Sequence, residues 1–362
     1  MRSFRKATIK EVAAQAAVST TTVSLYVSGR KEVCSAETAQ RIERAVSDLS
    51  YTPSSLTRGL RRQTASTIGV CITNPMDPGV AYGQAFFERM WRGVMHQADV
   101  DSYALLHYPS TVREIGKSDL FLDGRVDGML LHTHDDKRPM ELAAAGMPFV
   151  LLTRSRHIAP CCGFVHADEE LTTDLAMGHL WELGHRRIAY IAGPVGNLLP
   201  VRGMSRFGFF SDDVAVARLE AYIEWTSRHG VYDPSLIVPA CDWMAPNSAA
   251  LLKVLISNEK PPTAIFCAND CLALDIMRAA RESGLRIPGE VSIVGVDNTP
   301  QSRENGVELT TVAVDVEEIG REALRALLRL MRDESPERYR VSLPISTLVV
   351  RGTTAQVGFL GK

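Results

Sequence analysis

From residue 65 onwards, apolar runs of strand length alternate with amphipathic stretches of helix length. Strands with few polar residues on either face are typical of parallel sheets that helices cover on both sides. The candidate strands are Thr67–Thr73, Tyr103–Tyr108, Gly128–His132, Phe149–Thr153, Ile188–Ala192, Ala264–Ala268 and Val291–Val296. The candidate helices lie near Glu88–Ala98, Leu171–Leu183, Val214–Arg228, Ser248–Ser257, Leu272–Ser283 and Glu317–Met331. One small sheet cannot hold so many elements, so the pattern predicts an α/β core of two Rossmann-like lobes with a cleft between them.

The first 52 residues have a different pattern, which predicts a small all-α domain. Four small or apolar residues repeat at helical spacing near the amino terminus: Ile9, Val12, Ala13 and Ala16. Small Ala17 then marks a corner, where a bulky side chain is expected to block close packing of the two helices. Ser19 can cap a second helix that begins with the hydroxyl residues 20–22. Ser35 opens a third helix, whose apolar face is formed by Ala39, Ile42, Ala45, Val46 and Leu49. The first two helices alone fit either an ordinary hairpin or a helix-turn-helix, in which the start of the second helix enters the DNA major groove.

The charge of the chain is divided unevenly between these two regions. Residues 1–63 hold eleven Lys and Arg against five Asp and Glu, whereas the rest of the chain holds twenty-nine against thirty-seven. A basic segment in front of an acidic body favours a polyanion such as DNA as the partner of the first region.

Other classes of protein are disfavoured by what the sequence lacks. No apolar run is long enough to span a bilayer, and no apolar signal core follows the basic amino terminus. The seven cysteines have no paired framework, which is typical of reduced thiols. These features predict a cytoplasmic protein without membrane contact. The absence of GxGxxG, P-loop, HExxH and GxSxG signatures predicts no enzymatic activity, no catalytic residues and no cofactor.

The order of these segments resembles the LacI/GalR family of bacterial transcription repressors, and the resemblance covers nearly the whole chain. Its most specific stretches are Thr8–Ser24, Pro53–Leu60, Glu182–Ile188, Pro262–Asp270 and Val291–Asp297. The resemblance implies a helix-turn-helix domain at 1–52, a hinge helix and linker at 53–64, and an effector-binding, dimerising core at 65–362.

The core is expected to have the architecture of periplasmic sugar-binding proteins, with three crossings of the chain between its lobes. One lobe is expected near 65–166 and 298–328, and the other near 167–297 and 329–358. Two segments are longer than the family norm, Met76–Ala85 and Val195–Asp213. They either shape a ligand pocket or form surface insertions.

The resemblance assigns the DNA contacts to the first domain and to the hinge. The expected contact residues are Thr8, Lys10, Ser19, Thr20, Thr21, Thr22, Ser24, Leu25, Arg58 and Leu60. Thr20 and Thr21 suit base edges, because threonine offers both a hydroxyl and a methyl group. Leu25 stands where many relatives carry Arg or His, and Tyr26 is expected either at the DNA backbone or in the core. Leu60 matches the leucine that wedges into the minor groove; a plain linker is the alternative for this segment. A two-turn hinge helix is unstable alone in water, so it is expected to order only in pairs on DNA.

The resemblance also places an effector in the cleft. The expected contacts are Asn74, Arg154, Arg218, Trp243, Asn269 and Asp297. Asp270 is expected to cap the helix that follows it. Trp243 is expected either to stack on a sugar ring or to pack in the core. A planar Arg, polar acceptors and an indole suit a sugar or a sugar derivative.

The expected partners are double-stranded operator DNA, a small-molecule effector and a second copy of the chain, in a homodimer or a tetramer. A purine- or nucleoside-type repressor that requires a corepressor is one alternative, and a sugar-binding protein without DNA function is another. Release of DNA on binding an inducer and tighter DNA binding with a corepressor both occur in the family. The polar segment His132–Asp136 fits a solvated loop better than a metal site, so no bound metal is expected.

Overall fold

The computed structural model of the chain falls into two compact units. It describes residues 7–27, 30–49, 51, 65–72, 84–108, 122–133, 137–152, 162–196, 211–244, 247–304, 306–332 and 339–358. The first unit, here called the head, comprises Met1–Thr67 with Gly124–Asp127, and the second, the core, comprises Ile68–Asp123 and Gly128–Lys362.

The head is built from the three predicted helices: α1 (Ile9–Gln15), α2 (Thr20–Val27) and α3 (Ala36–Asp48). Their buried faces form one small core of Val12, Ala13, Ala16, Val23, Tyr26, Ile42 and Ala45. Each helix begins at a hydroxyl cap. Thr8 and Glu11 form a reciprocal capping box, while Ser19 and Ser35 accept the backbone N–H groups of Thr22 and Thr38.

The corner between α1 and α2 depends on backbone conformation at Ala17. Its φ is +53°, in the left-handed region, and its side chain is exposed. The preceding Ala16 is the one packed in the core, with 1% of its surface exposed. The prediction that Ala17 is small because of helix packing is therefore wrong, since the turn restricts this position through its φ angle.

Twelve strands among the described residues form two sheets. The first contains β1 (Thr67–Cys71), β2 (Ala104–His107), β3 (Gly128–Leu131), β4 (Phe149–Leu151), β5 (Cys162–Ala167) and β11 (Arg340–Leu343), in the order β11-β5-β4-β3-β1-β2. The second contains β6 (Ile188–Ala192), β7 (Ile237–Pro239), β8 (Ala264–Cys267), β9 (Ser292–Val296), β10 (Thr310–Val314) and β12 (Ser346–Val349), in the order β12-β10-β9-β8-β6-β7. The pairs within the second sheet are parallel except that of β12 with β10.

The core helices are α4 (Gln84–Asp101), α5 (Lys137–Ala144), α6 (Glu169–Glu182), α7 (Asp213–Arg228), α8 (Ser248–Ile256), α9 (Asp270–Glu282) and α10 (Val316–Leu330). Helices α4 and α10 pack with the first sheet, and α6 to α9 pack with the second. Each sheet with its helices is one lobe, here called the first and the second lobe. The predicted α/β class and two-lobed architecture are confirmed.

The described elements show three crossings between the lobes: from β5 to α6, from β10 to α10, and from β11 to β12. The lobe boundaries differ from those expected. The segment before α10 contributes β10 to the second sheet, and the segment after it contributes β11 to the first. Local apolar patterns identify strands but do not specify which sheet they join, because that depends on distant pairing partners.

Two glycines allow α4 and α10 to pack backbone against backbone. A Cβ atom at Gly93 would overlap the carbonyl oxygen of Glu317, and one at Gly320 would overlap that of Met90. Side chains cannot move aside here because the obstructing atoms are backbone. The two helices therefore form one tightly packed pair in the first lobe.

Candidate functional site

The exposed end of α2 carries the predicted base-reading residues. Thr20 and Thr21 are exposed on the first turn. Ser19 Oγ accepts the N–H of Thr22 at 3.0 Å and lies 2.8 Å from the Thr22 hydroxyl. The cap therefore holds Ser19 and Thr22 in place, while the side chains of Thr20 and Thr21 are exposed. Exposed hydroxyls at a helix N-terminus suit contacts with base edges and phosphates.

The other predicted DNA contacts differ in exposure. Thr8 and Lys10 are exposed at the start of α1, and Ser24 and Leu25 are half-buried on α2. Arg58 and Leu60 lie outside the described residues. The assignments of all these residues to DNA contacts remain predictions.

Tyr26 belongs to the core of the head. It is 7% exposed, and its hydroxyl donates to Glu43 Oε1 at 2.6 Å. This hydrogen bond to a carboxylate raises the pKa of Tyr26 to about 12, with burial and the charge of Glu43 acting in the same direction. Of the two expectations for this residue, the core-facing one is correct.

Four predicted ligand residues gather around one edge of the second sheet. Strands β6, β7 and β8 run parallel to one another and β9 runs parallel to β8, so their carboxyl ends lie at the same edge. Trp243 follows β7, Asn269 follows β8 and Asp297 follows β9. Arg218 reaches this edge from α7, where it donates to the carbonyl oxygen of Ala268. Ligands in doubly wound folds bind at such edges.

Arg218 is held by a buried ion pair that the sequence did not reveal. Its Nη2 lies 2.6 Å from Glu169 Oε2 and its Nε donates to the same oxygen at 2.7 Å. Both side chains are 5% exposed. Glu169 lies on the first turn of α6, immediately after the Asp168 cap. Its carboxylate therefore neutralises the guanidinium that was predicted to face a ligand.

The same edge concentrates buried and half-buried carboxyl groups. Burial raises the pKa of Asp297 to about 8; the positive charge of Arg218 opposes this, and Asp270 and Glu169 add to it. Burial likewise raises the pKa of Asp270 to about 6, against hydrogen bonds from Thr311 and Thr299. Burial also raises the pKa of Glu169, against the pull of Arg218. The Arg218 guanidinium is thus shared between the carboxyl groups of Glu169 and Asp297.

The cap of α9 is Asn269, whereas the cap was expected to be Asp270. Asn269 is the cap of α9, because its Oδ1 accepts the N–H of Leu272 at 2.8 Å. Asp270 is fully buried and accepts the N–H of Thr299 at 2.7 Å and the hydroxyl of Thr311 at 2.6 Å. Asp270 is structural, as expected, but it ties β10 to the turn after β9 and does not cap the helix.

Trp243 is half-buried, and its ring has a fixed orientation. Its Nε1 donates to Asp212 Oδ2 at 3.2 Å, and its backbone oxygen accepts from Asn269 Nδ2 at 3.1 Å. A Cβ atom at Gly193 would lie 2.8 Å from the indole ring, so the lack of a side chain lets the ring lie on the strand end. Asp212 also caps α7, which connects the ring position to that helix. The partly exposed indole is thus held in place at the edge of the sheet.

The turn after β9 has an unusual backbone. Asp297 has a φ of +105° and Asn298 a φ of +50°, in the region that glycine usually occupies. Arg351 Nη2 donates to Asn298 Oδ1 at 2.5 Å and holds one side of the turn. On the other side, the carbonyl oxygen of Asp297 accepts from Arg89 Nη1 at 3.0 Å. The strained conformation is therefore fixed by two arginines from outside the turn.

Several expectations fall wholly or partly outside the described residues. Asn74 and Arg154 are among them, and so is most of Met76–Ala85 and of Val195–Asp213. His132 is described and packs edge-on against Phe87, with 5.0 Å between ring centroids. In the part of the chain that the structure describes, no three His, Cys, Asp or Glu residues are arranged to hold a metal ion. The same part contains no helix that is long and apolar enough to cross a membrane.

Sequence reasoning missed Glu169, Asp212 and Arg89. Asp212 carried a usable signal, since an Asp directly before a helix is a common cap. Glu169 and Arg89 carried none, because their partners lie 49 and 208 residues away along the chain.

A helix-turn-helix head joined to a two-lobed core of the periplasmic-binding type defines a DNA-binding regulator controlled by a ligand. The family model for bacterial regulatory proteins of the lacI family matches residues 8–54, and that for a periplasmic binding protein-like domain matches residues 177–354. The HTH-type transcriptional repressor PurR of Aliivibrio fischeri (strain ATCC 700601 / ES114) is 32% identical, over 92% of this chain and 94% of the relative. The repressor CytR of Escherichia coli (strain K12) is 30% identical, over 96% of each chain.

Solved structures agree over the whole length. The lac repressor dimer bound to operator and the anti-inducer ONPF is similar with a TM-score of 0.76 at 26% identity, covering 97% of this chain and 100% of that chain. The complex of the regulator CelR with cellobiose is similar with a TM-score of 0.66 at 27% identity, covering 96% and 99%. The chain belongs to the LacI family, and it is a ligand-controlled, DNA-binding transcriptional repressor.

Proposed function

We propose that the controlling ligand is a neutral sugar or sugar derivative, bound at the carboxyl ends of the second-lobe strands. The observation that carries this proposal is the pairing of Arg218 with Glu169. A cation without a partner favours a phosphate or carboxylate ligand, and this guanidinium already has a carboxylate partner. Asp270 and Asp297 add two carboxyl groups to this edge, and each of them repels an anion when it is ionised.

The remaining features suit a polyhydroxylated ligand. Carboxyl oxygens accept hydrogen bonds from sugar hydroxyls, and the half-buried face of Trp243 suits stacking on the C–H face of a sugar ring. A structural relative, CelR, was solved as a complex with cellobiose. Arg218, Trp243, Asn269 and Asp297 are the proposed contacts in the described part, joined by Asn74 and Arg154.

Calorimetry tests the ligand class directly. Neutral mono- and disaccharides, their phosphorylated forms, and purine bases and nucleosides are titrated into the purified protein. We expect saturable binding of a neutral sugar, together with a change in Trp fluorescence that is smaller in Trp243→Phe. Binding of a purine or a phosphorylated sugar alone, with no neutral sugar bound, would overturn the proposal.

We propose further that a cytoplasmic homodimer binds a palindromic operator, because one head contacts half of such a site. Thr20 and Thr21 are the proposed base contacts, and Leu60 is the proposed minor-groove wedge. Gel-shift titration of Leu60→Ala should show weaker operator binding than wild type. Undiminished affinity would refute the wedge, and sedimentation of the free protein would distinguish a dimer from a tetramer.

A further inference from the structure

Arg89 is a side chain of the first lobe that contacts the backbone of the second. It lies on α4, which packs with the first sheet. Its Nη1 donates to the carbonyl oxygen of Asp297 at 3.0 Å, and its Nη2 donates to that of Val314 at 2.6 Å. Asp297 follows β9 and Val314 ends β10, and both strands belong to the second sheet. One half-buried guanidinium therefore joins the two lobes by two charge-assisted hydrogen bonds.

Both acceptors occupy positions that matter for a ligand-driven change. Asp297 is a proposed ligand contact. Val314 is the last residue of β10, directly before the chain crosses to α10 in the first lobe. Arg89 thus holds the ligand-facing turn and a crossover strand with the same planar group. The fork geometry of guanidinium allows this, whereas an ammonium group has no such fixed fork.

The turn itself is held to the rest of the second lobe at several points. Asn298 is fixed by Arg351 and by a bond from its N–H to the Thr311 hydroxyl at 3.3 Å. Thr299 is fixed by Asp270. The carbonyl oxygen of Asp297 is where this turn meets the first lobe. A ligand that displaces the Asp297 side chain would therefore also displace an acceptor of Arg89.

If Arg89 is displaced, α4 cannot shift on its own within the first lobe. One helical turn further along α4, Gly93 packs backbone against backbone on α10. No intervening side chains are present to change rotamer at this contact, so α4 and α10 respond together.

We propose that Arg89 is the coupling residue of this repressor, which transmits the displacement of the Asp297 turn to α4 and sets how strongly a ligand changes operator affinity. This inference rests on the proposed function, in that the ligand is taken to bind at Asp297. Arg89 acts through the backbone of a ligand-contacting residue, so it is a positioning residue and not itself a ligand contact.

The test compares Arg89→Met with Arg89→Lys in the full-length protein. Met keeps the aliphatic stem and removes both donors, whereas Lys keeps the charge without the planar fork. The measured quantity is the ratio of operator dissociation constants with and without the ligand found by calorimetry. Allosteric ratios of about 5 to 150 are typical, and we expect Arg89→Met to bring the ratio to within about twofold of one. Arg89→Lys should give an intermediate ratio, and ligand affinity should stay within about threefold of wild type.

Arg92→Met is the matched control. Arg92 lies on the same helix, its side chain is 62% exposed, and its ion-pair partner at 3.8 Å is Glu317 of the same lobe. It should leave the ratio unchanged. An unchanged ratio in Arg89→Met would overturn the coupling role. Loss of all ligand binding in that variant would also overturn it, because Arg89 would then be part of the binding site.

A second measurement separates this inference from the identity of the ligand. By reciprocity, operator binding should change the hydrogen exchange of the amides around Asp297 when no ligand is present. We expect this change in wild type and in Arg92→Met, and its loss in Arg89→Met. The same change in all three proteins, or none in wild type, would contradict the proposal. If no sugar binds but exchange behaves as expected, only the proposed effector fails.

Discussion

Glu169→Gln is the most informative single change in the core, because it removes the negative charge facing Arg218 and keeps the size and the acceptor oxygen. Both members of this pair are 5% exposed, and their closest N–O distance is 2.6 Å. Loss of one partner from a buried ion pair typically costs about 3–5 kcal/mol, because the other charge stays buried without compensation.

The cost should be lower than this here, and it should depend on pH. Arg218 also interacts with Asp297, whose pKa of about 8 is raised in part by Glu169. Removal of Glu169 therefore lowers the pKa of Asp297, which can then ionise and compensate Arg218. We expect a loss of about 3 kcal/mol near pH 5.5, where Asp297 holds its proton, and about 1 kcal/mol near pH 8.5, where it does not.

Thermal unfolding followed by circular dichroism measures this difference. At about 2–4 °C per kcal/mol for a domain of about this size, the midpoint should fall by about 6–12 °C at the lower pH and about 2–4 °C at the higher. Glu170→Gln is the control, because Glu170 is exposed on the same first turn of α6. Equal changes in the unfolding midpoint of the two variants, or a change in Glu169→Gln that does not depend on pH, would refute the idea that Glu169 and Asp297 share the Arg218 guanidinium.

Three further changes test other parts of the structure. Gly320→Ala should lower the free energy of unfolding of the core by about 1–3 kcal/mol, because its Cβ overlaps the backbone of α4. Gly178→Ala, whose Cβ meets open space on α6, should not lower it. Ala17→Gly should stabilise the head by about 1 kcal/mol in denaturant unfolding because its φ is +53°, and a decrease would contradict the assigned turn. The pKa of Asp297 lies near 8 in the folded chain and near its ordinary value when unfolded, so folding takes up a proton and core stability should fall as pH rises between about 4 and 8. Asp297→Asn should flatten that profile, and an equally steep one would exclude Asp297 as its source.

Much of the fold was predictable because periodicity is a local property. Strand β6 has the bounds expected from its apolar run, and the caps at Ser19 and Ser35 lie where the hydroxyl pattern placed them. The sheet membership of β10 and β11 was not predictable, since each is decided by pairing with strands far away in sequence.

In the candidate site, too, local features were predictable and long-range contacts were not. The positions of Trp243 and Asp297 after strand ends followed from element order. The partners of these two residues did not, because Asp212 binds the Trp243 indole and Arg89 binds the Asp297 carbonyl oxygen from other elements. The cap of α9 shows a subtler limit. Asn269 and Asp270 are adjacent and both are good capping residues. The Asp270 carboxylate instead binds Thr299 and Thr311, which lie far along the chain.

The charges at the second-lobe edge have a consequence for how this repressor is switched. Glu169 is the carboxylate that pairs with Arg218 in the structure, at an N–O distance of 2.6 Å. Burial raises the pKa of Asp297 to about 8 against the opposing charge of Arg218, so near neutral pH its side chain can donate a hydrogen bond as well as accept one. A ligand with hydroxyl groups suits such a neutral carboxyl group, since a hydroxyl group also both donates and accepts hydrogen bonds. The backbone of the same residue is joined to α4 through Arg89. The proposed ligand contact and the proposed coupling therefore meet at Asp297, and together they require no separate relay.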